Sequence, residues 1–412
     1  NLLIELARGK LNQLRSQASD WKVGGLVLPP LLESLIQEAS RTFGQAITRA
    51  PSAESTRLAQ AALTLSYQAA NQLVQVYTEQ VFTIRHQRHP RLDTSFACRL
   101  ERGDSSAAHA DFARAFNSVC LPLSWNTIEA EEASYHWGPW DALLTAALAQ
   151  GLSVTAGPLL DFSSARLPDW LWLWERDLTS LATFMCKFVE AAVRRYRDRI
   201  RRWQLTAASN SARVLSLTEE ELLGLTYRLG ETARQIDPTL ELVIGVAQPW
   251  GEYMTEENRT HSPFVFADTL IRSGLNVSAL DIEIIMGLTP RGSYCRDLLE
   301  VSRILDLYAL LGVPLRVTLG YPSSEGSDDD ADPEIRVAGG CWRSGFTPEV
   351  QADWATWFPA LALCKPYVQG VQWCHWSDAA PHQFPHCGLL DPQGQPKPAL
   401  TSLRTLREKH VK

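Results

Sequence analysis

The sequence predicts an α/β protein, a (β/α)8 barrel of the TIM class with an N-terminal helical extension, and three observations predict it. Ala279 to Tyr321 reads as one strand-helix-strand unit, the simplest signature of two parallel strands joined by a right-handed crossover. The same alternation recurs from Ser95 to Trp376, which gives eight strand-like stretches separated by helical ones. An open doubly wound sheet would instead need a glycine-rich phosphate loop after an early strand, and the sequence has none.

Residues 1–90 read as a separate helical region. Leu2, Leu3, Leu6, Leu11 and Leu14 mark an opening amphipathic helix, and Pro29-Pro30 interrupts the apolar stretch that follows. Between Ala53 and Arg85 the series Leu58, Ala62, Leu65, Ala69, Leu73, Val76 keeps a three-or-four spacing that needs a partner surface, so a helical hairpin or small bundle is expected. Residues 91–412 are expected to form the barrel. Its strands fall at Ser95–Leu100, Phe116–Trp125, Leu152–Leu160, Ile200–Ala208, Leu242–Gln248, Ala279–Met286, Leu315–Tyr321 and Val368–Trp376. Helices are expected between them at Trp140–Gln150, Leu178–Arg195, Glu219–Ile236 and Ser293–Leu311, the last stopped by Gly312 and Pro314.

Parity assigns the faces. Leu280, Ile282, Ile284, Leu315, Val317 and Leu319 face the helices, so Asp281, Glu283, Arg316 and Thr318 point into the ring. A buried carboxylate is costly unless it is paired or engaged in chemistry. An ion pair of Asp281 or Glu283 with Arg316, and a catalytic role, both remain open at this stage.

Composition narrows the class. The 412 residues are 45% hydrophobic and 21% charged. The chain leaves well over a hundred residues beyond the ~250 that such a barrel uses. A net charge of −7 and a pI near 5.8, without a basic stripe, argue against a nucleic-acid partner, and no apolar run is long enough for a membrane helix. Fourteen tryptophans suit a protein that stacks flat or sugar ligands. The eight cysteines form no Cys-x-x-Cys and no tight framework, which favours free thiols and a reducing compartment. The chain opens on Asn1 inside a helical pattern, as an excerpt of a longer protein would.

Several segments, in order, resemble the family 10 glycoside hydrolases. Phe116-Asn117-Ser118-Val119 resembles that family's second-strand opening, and Ile128-Glu129-Ala130, Tyr135-His136-Trp137 and Asp141 resemble the segment after it. Gly157-Pro158-Leu159-Leu160, then Leu167-Pro168-Asp169-Trp170-Leu171, look like its third strand and sequel. Trp203-Gln204-Leu205-Thr206 sits where the family has Trp-Asp-Val-Val-Asn-Glu. Val371-Gln372-Trp373 through Asp378 resembles the eighth strand, and Lys397-Pro398-Ala399 its closing motif. The resemblance implies a barrel and a carbohydrate ligand. The family's acid would fall on Ala208, and its seventh-strand carboxylate motif on Thr318-Leu319-Gly320-Tyr321, which has none. A hydrolase built this way has displaced its acids.

Glycoside cleavage uses one carboxylic acid to protonate the leaving oxygen and a second carboxylate as base or nucleophile. Glu283 on the sixth strand, Glu252 in the Gln248–Tyr253 turn and Asp161 after the third strand are the catalytic candidates. Trp250, Tyr253, Trp373 and Trp376 are expected to stack on sugars, and Asn210, Gln248, His375 and Asp378 to bind hydroxyls. Arg291, in the loop after the sixth strand, raises an anionic sugar as substrate. Cys374, His375, His382, His386 and Cys387 crowd the last strand, yet their spacing matches no standard zinc pattern. The acidic run Ser327–Asp332 is a candidate to hold calcium or to supply a displaced catalytic acid, with a solvated loop as the ordinary reading. No metal or cofactor is therefore expected. The alternative to an enzyme is a silent barrel kept as a carbohydrate-binding or scaffold module.

Overall fold

The computed structural model describes residues 1–101, 110–163, 166–212, 214–255 and 259–412, and its contacts divide the chain into two units. Asn1–Pro90 group with Arg296–Leu305, and Arg91–Cys295 group with Asp306–Lys412.

The first unit holds helices α1 (Leu2–Val23), α2 (Pro30–Thr48) and α3 (Ala53–Arg88). Asn1 and Ser52 cap α1 and α3 through their side chains, and Pro30 opens α2, where its missing N–H leaves no intrahelical bond unmade. Small residues let the helices approach: Ile4, Ala46 and Ala59 form a common core with Leu3, Phe43 and Leu58 around it. Trp21 stacks on Tyr77 at 4.1 Å between centroids. Lys10, 7% exposed, pairs with Asp297, and the Asn71 side chain accepts the Leu298 N–H at 3.2 Å.

The second unit is a closed barrel of eight parallel strands: β1 (Ser95–Arg99), β2 (Ser118–Leu121), β3 (Ser153–Ala156), β4 (Arg202–Ala207), β5 (Glu241–Val246), β6 (Ala279–Ile285), β7 (Leu315–Gly320) and β8 (Val368–Trp373). Pairing of Phe96 with Val371 and of Thr155 with Arg202 completes the ring. The helices that alternate with these strands are α4 (Gly138–Ala149), α5 (Leu178–Tyr196), α6 (Glu219–Ile236), α7 (Pro263–Arg272), α8 (Leu298–Ala309), α9 (Pro348–Cys364) and α10 (Pro398–His410). The expected alternation is what folds, with shorter strands. The second strand stops at Leu121 because Trp125 already begins a short helix, Trp125–Ile128. The helix expected from Ser293 begins at Leu298, because Ser293 bridges to Met286 instead.

Inside the ring, parity holds. Asp281 pairs in register with Arg316 and Glu283 with Thr318. Thr318 Oγ1 donates to Asp281 Oδ2 at 2.7 Å, and Gln204 Nε2 reaches the same oxygen at 3.4 Å. Burial pushes the Asp281 carboxyl up, opposed by the Thr318 hydroxyl and by Arg316. The Arg316 guanidinium is pulled down to about 10 by burial and by Arg202. It fits because residue 370 is glycine: a Cβ there would stand 2.6 Å from Arg316 Nη1. The buried aspartate is therefore held mainly by neutral donors, and no Arg316 ion pair forms among the described contacts.

Helix α6 carries a capping box: Thr218 accepts the Glu221 N–H at 3.2 Å, and the Glu221 carboxylate accepts the Thr218 N–H at 2.8 Å. Thr218→Ala is expected to lower stability by about 1 kcal/mol, read by urea unfolding.

Candidate functional site

The carboxyl ends of barrel strands converge on one face, and there the interior polar row meets solvent. Arg99 is the last residue of β1, and Glu101 follows it. Asp161 lies beyond β3 in the two-residue strand Leu160–Asp161, which pairs with β4. Its placement depends on Gly157, whose φ is +114°; a Cβ at that position would stand 2.1 Å from the Gln204 carbonyl oxygen. Glu283 comes from the end of β6, and Arg291 from the loop after it.

These side chains form one charged cluster. Arg291 Nη2 lies 3.6 Å from Asp161 Oδ1, which also accepts from the Ser163 N–H at 3.1 Å and from its hydroxyl at 2.8 Å. Arg166 lies 3.4 Å from Glu101. Glu283 is 9% exposed, and among the described residues its Oε1 has no hydrogen-bond partner. Burial raises its carboxyl to about 7, the nearby Arg291 and Arg99 limiting the rise and Asp161 and Asp281 adding to it. Burial opposes the Arg99 charge, but Cys120, Glu101, Glu283 and Asp161 more than offset it.

Beside the cluster opens a cavity of about 230 Å3, lined among others by Phe162, Ser163, Gln248, Tyr253, Arg291 and Glu334. Gln248, at a φ of +47°, donates both amide hydrogens to the carbonyls of Pro290 (2.5 Å) and Gly292 (2.7 Å). It thus straps down the loop that carries Arg291. The Tyr253 hydroxyl, pushed up to about 12 by burial, donates to the His261 carbonyl at 3.2 Å.

The structure gathers Glu283, Asp161, Arg291, Gln248 and Tyr253 at this mouth and places the other candidates elsewhere. Glu252 lies in the turn Glu252–Thr255, where its Oε1 accepts the Tyr294 N–H at 3.3 Å, and the strongest charges on Glu283 come from other groups. Trp250, two residues before that turn, is partly buried. Asn210 is a staple, exchanging two hydrogen bonds with the Ala247 backbone. The expected sugar platform on the last strand is corrected outright. Trp373 is 2% exposed, donates to the Cys387 carbonyl and packs edge-on to Trp354; Trp376 is 1% exposed against Phe112 and Phe116. His375 and Asp378 are buried with them, bonded to each other at 2.9 Å. Trp373, in register with Leu319, has the parity that faces the helices, and regular pairing stops there, so parity no longer places His375, Trp376 and Asp378.

Arg99 and Glu101 were not singled out by sequence. Their signal was an arginine of inward parity closing the first strand, with an acid two residues on.

The fold and this mouth define a barrel of the kind that carries catalytic groups on its strand-end loops. The Glycosyl hydrolase family 10 model matches residues 92–279, from β1 to the start of β6. Among solved structures, the chain resembles a Thermobacillus composti GH10 xylanase (TM-score 0.54, 17% identity, covering 76% of this chain and 96% of that one). It also resembles native xylanase 10B from Thermotoga maritima (TM-score 0.56, 16% identity, 79% and 98%) and xylanase B from Clostridium stercorarium F9 (TM-score 0.55, 15% identity, 75% and 96%). No curated protein sequence matches it. The chain thus folds as a (β/α)8 barrel, and its stretch from residue 92 to 279 resembles glycosyl hydrolase family 10.

Proposed function

We propose that the barrel, residues 91–412, is a glycoside hydrolase acting on a xylan-like polysaccharide or oligosaccharide. Residues 1–90 form a separate helical region in this reading. One observation carries it: Glu283 is a buried carboxyl, raised to about 7, at the strand-end mouth, and among the described residues nothing hydrogen-bonds its Oε1. Such a group keeps its proton near neutrality and can deliver it to a departing glycosidic oxygen. Asp161, held by Ser163 and Arg291, is the opposing carboxylate, acting as base or nucleophile. Glu252 is the reserve candidate for that second role. Arg291, paired with Asp161, fixes charges within the site, which supports a neutral sugar rather than a uronic acid.

A second reading, a silent carbohydrate-binding barrel, is favoured by the ends of β4 and β7. They carry Ala207-Ala208 and Leu319-Gly320, and a Cβ at Gly320 would stand 2.7 Å from Cys374 Sγ. New reducing ends from xylan and xylo-oligosaccharides separate the two readings. Hydrolysis is expected, with a rate that falls as pH rises through about 7, where Glu283 loses its proton. Arg291→Gln removes a cation that holds the Glu283 carboxyl down, so this alkaline limb should move to higher pH. Binding without any product would establish the silent barrel.

A further inference from the structure

Between the loop after β7 and the loop after β8 lies a cluster that the proposed chemistry does not use. His382 Nδ1 is 2.8 Å from the Ala380 carbonyl oxygen, and His386 Nε2 is 2.9 Å from the Gly326 carbonyl oxygen. A carbonyl only accepts, so each of these nitrogens carries its hydrogen. In a neutral imidazole the other nitrogen then presents a lone pair. Both of those nitrogens face carboxylates: His382 Nε2 lies 3.1 Å from Asp328 Oδ2 and 3.8 Å from Asp378 Oδ1, and His386 Nδ1 lies 3.4 Å from Asp328 Oδ2. At these distances either a proton on each ring or one metal ion shared by both stands between nitrogen and oxygen; Asp328 Oδ2 also accepts the His386 backbone N–H at 2.8 Å, and Asp378 Oδ1 the Gly388 N–H at 2.7 Å.

We propose that Asp328, His382, His386 and Asp378 form a zinc site that clamps the loop after β7 to the loop after β8.

Four supports converge. Neighbouring ligand atoms of a tetrahedral zinc with bonds of about 2.0–2.1 Å stand about 3.3 Å apart; three of the six separations among these ligands bracket that value, the Asp328, Asp378 and His386 atoms lie within 4.8 Å of one another, and His382 must draw toward His386 for the ion to take all four. Two imidazole nitrogens with two carboxylate oxygens suit zinc better than calcium or magnesium, which prefer oxygen alone. Both histidines have their remote N–H fixed by a backbone carbonyl, the arrangement that orients metal-bound imidazoles. His375, bonded to Asp378 Oδ1 at 2.9 Å, and Lys397, bonded to its Oδ2, hold that carboxylate in place. The His382 side chain is fully buried, while His386 is 12% exposed and Asp328 5%, so the opening for an ion lies on their side. His382 and His386 keep the His-x3-His spacing of many zinc sites; the remaining ligands lie four residues before His382 and on the preceding loop, which is why the linear pattern matched no motif.

The test uses the full chain loaded with zinc chloride and dialysed against metal-free buffer. About one zinc per chain is expected by atomic emission, with a melting temperature above that of the EDTA-treated protein. Calcium and magnesium should not reproduce the rise. His386→Gln and Asp328→Asn, both on the more open side, should weaken zinc binding by more than about 100-fold while the apo proteins keep the wild-type circular dichroism spectrum. Only traces of zinc in the wild type would overturn the proposal, and would leave a protonated histidine-carboxylate cluster in its place. Full loading with unchanged affinity in both variants would equally overturn it, by placing the metal on other groups such as the cysteines.

Discussion

Glu283→Gln is expected to abolish hydrolysis and at the same time to make the protein more stable above neutral pH. The amide keeps the shape of the side chain but has no proton to give, so turnover should fall by about 10^2–10^4-fold, the usual worth of a general acid. Stability moves the other way because of linkage. In the unfolded chain the carboxyl ionises near 4.5, and in the folded protein it holds its proton to about 7. Between those values the folded state binds more protons, so raising the pH favours unfolding. The group therefore contributes full stability below about 4.5, and loses it as pH rises through 7. The loss amounts to about 3 kcal/mol, because each pH step of one between the two ionisations is worth about 1.4 kcal/mol. Glu283→Gln should flatten this part of the stability curve in urea titrations at pH 5 and pH 8. An inactive variant that is also less stable at pH 8 would show that Glu283 is a structural carboxylate. Full activity in the variant would remove it from the mechanism.

Most of the barrel was legible because its signals are local. A two-residue alternation set the faces of β6 and β7, and it correctly turned Asp281, Glu283, Arg316 and Thr318 inward. Alternation says nothing beyond the end of a strand. The expected eighth strand ran to Trp376, but regular pairing stops at Trp373, and the next five residues fold into the core. The platform assigned to His375 and Trp376 failed for that reason, while Trp373, in register with Leu319, has the parity that faces the helices. Partners remote in sequence were equally invisible. The interior pair foreseen between Glu283 or Asp281 and Arg316 is replaced by Thr318 and Gln204 around Asp281, and by Arg99 and Arg291 near Glu283. Arg99 is 184 positions from Glu283, so only closure of the ring through β1 could reveal the neighbourhood.

Lys397→Met is expected to cost up to about 3–5 kcal/mol, because it removes one of the two cations beside a buried anion. Lys397 is 7% exposed, and its ammonium lies 2.5 Å from Asp378 Oδ2, 2.9 Å from the Ser323 hydroxyl and 3.2 Å from the His386 carbonyl. Asp378 has no exposed side-chain surface; burial would raise its carboxyl, but His375 and Lys397 more than offset this and hold it far below the usual range. Without the ammonium, the carboxylate keeps the Gly388 donor and the charged His375, raised to about 10, but loses its second cation. Asp378→Asn alone should also destabilise, since it leaves Lys397 buried without a counter-charge. The double variant Asp378→Asn with Lys397→Met should lose less than the sum of the two, because neither partner is then left charged and alone. Urea unfolding of the four proteins in EDTA-containing buffer measures the coupling independently of any bound metal. Strict additivity would mean that the pair is solvated in solution.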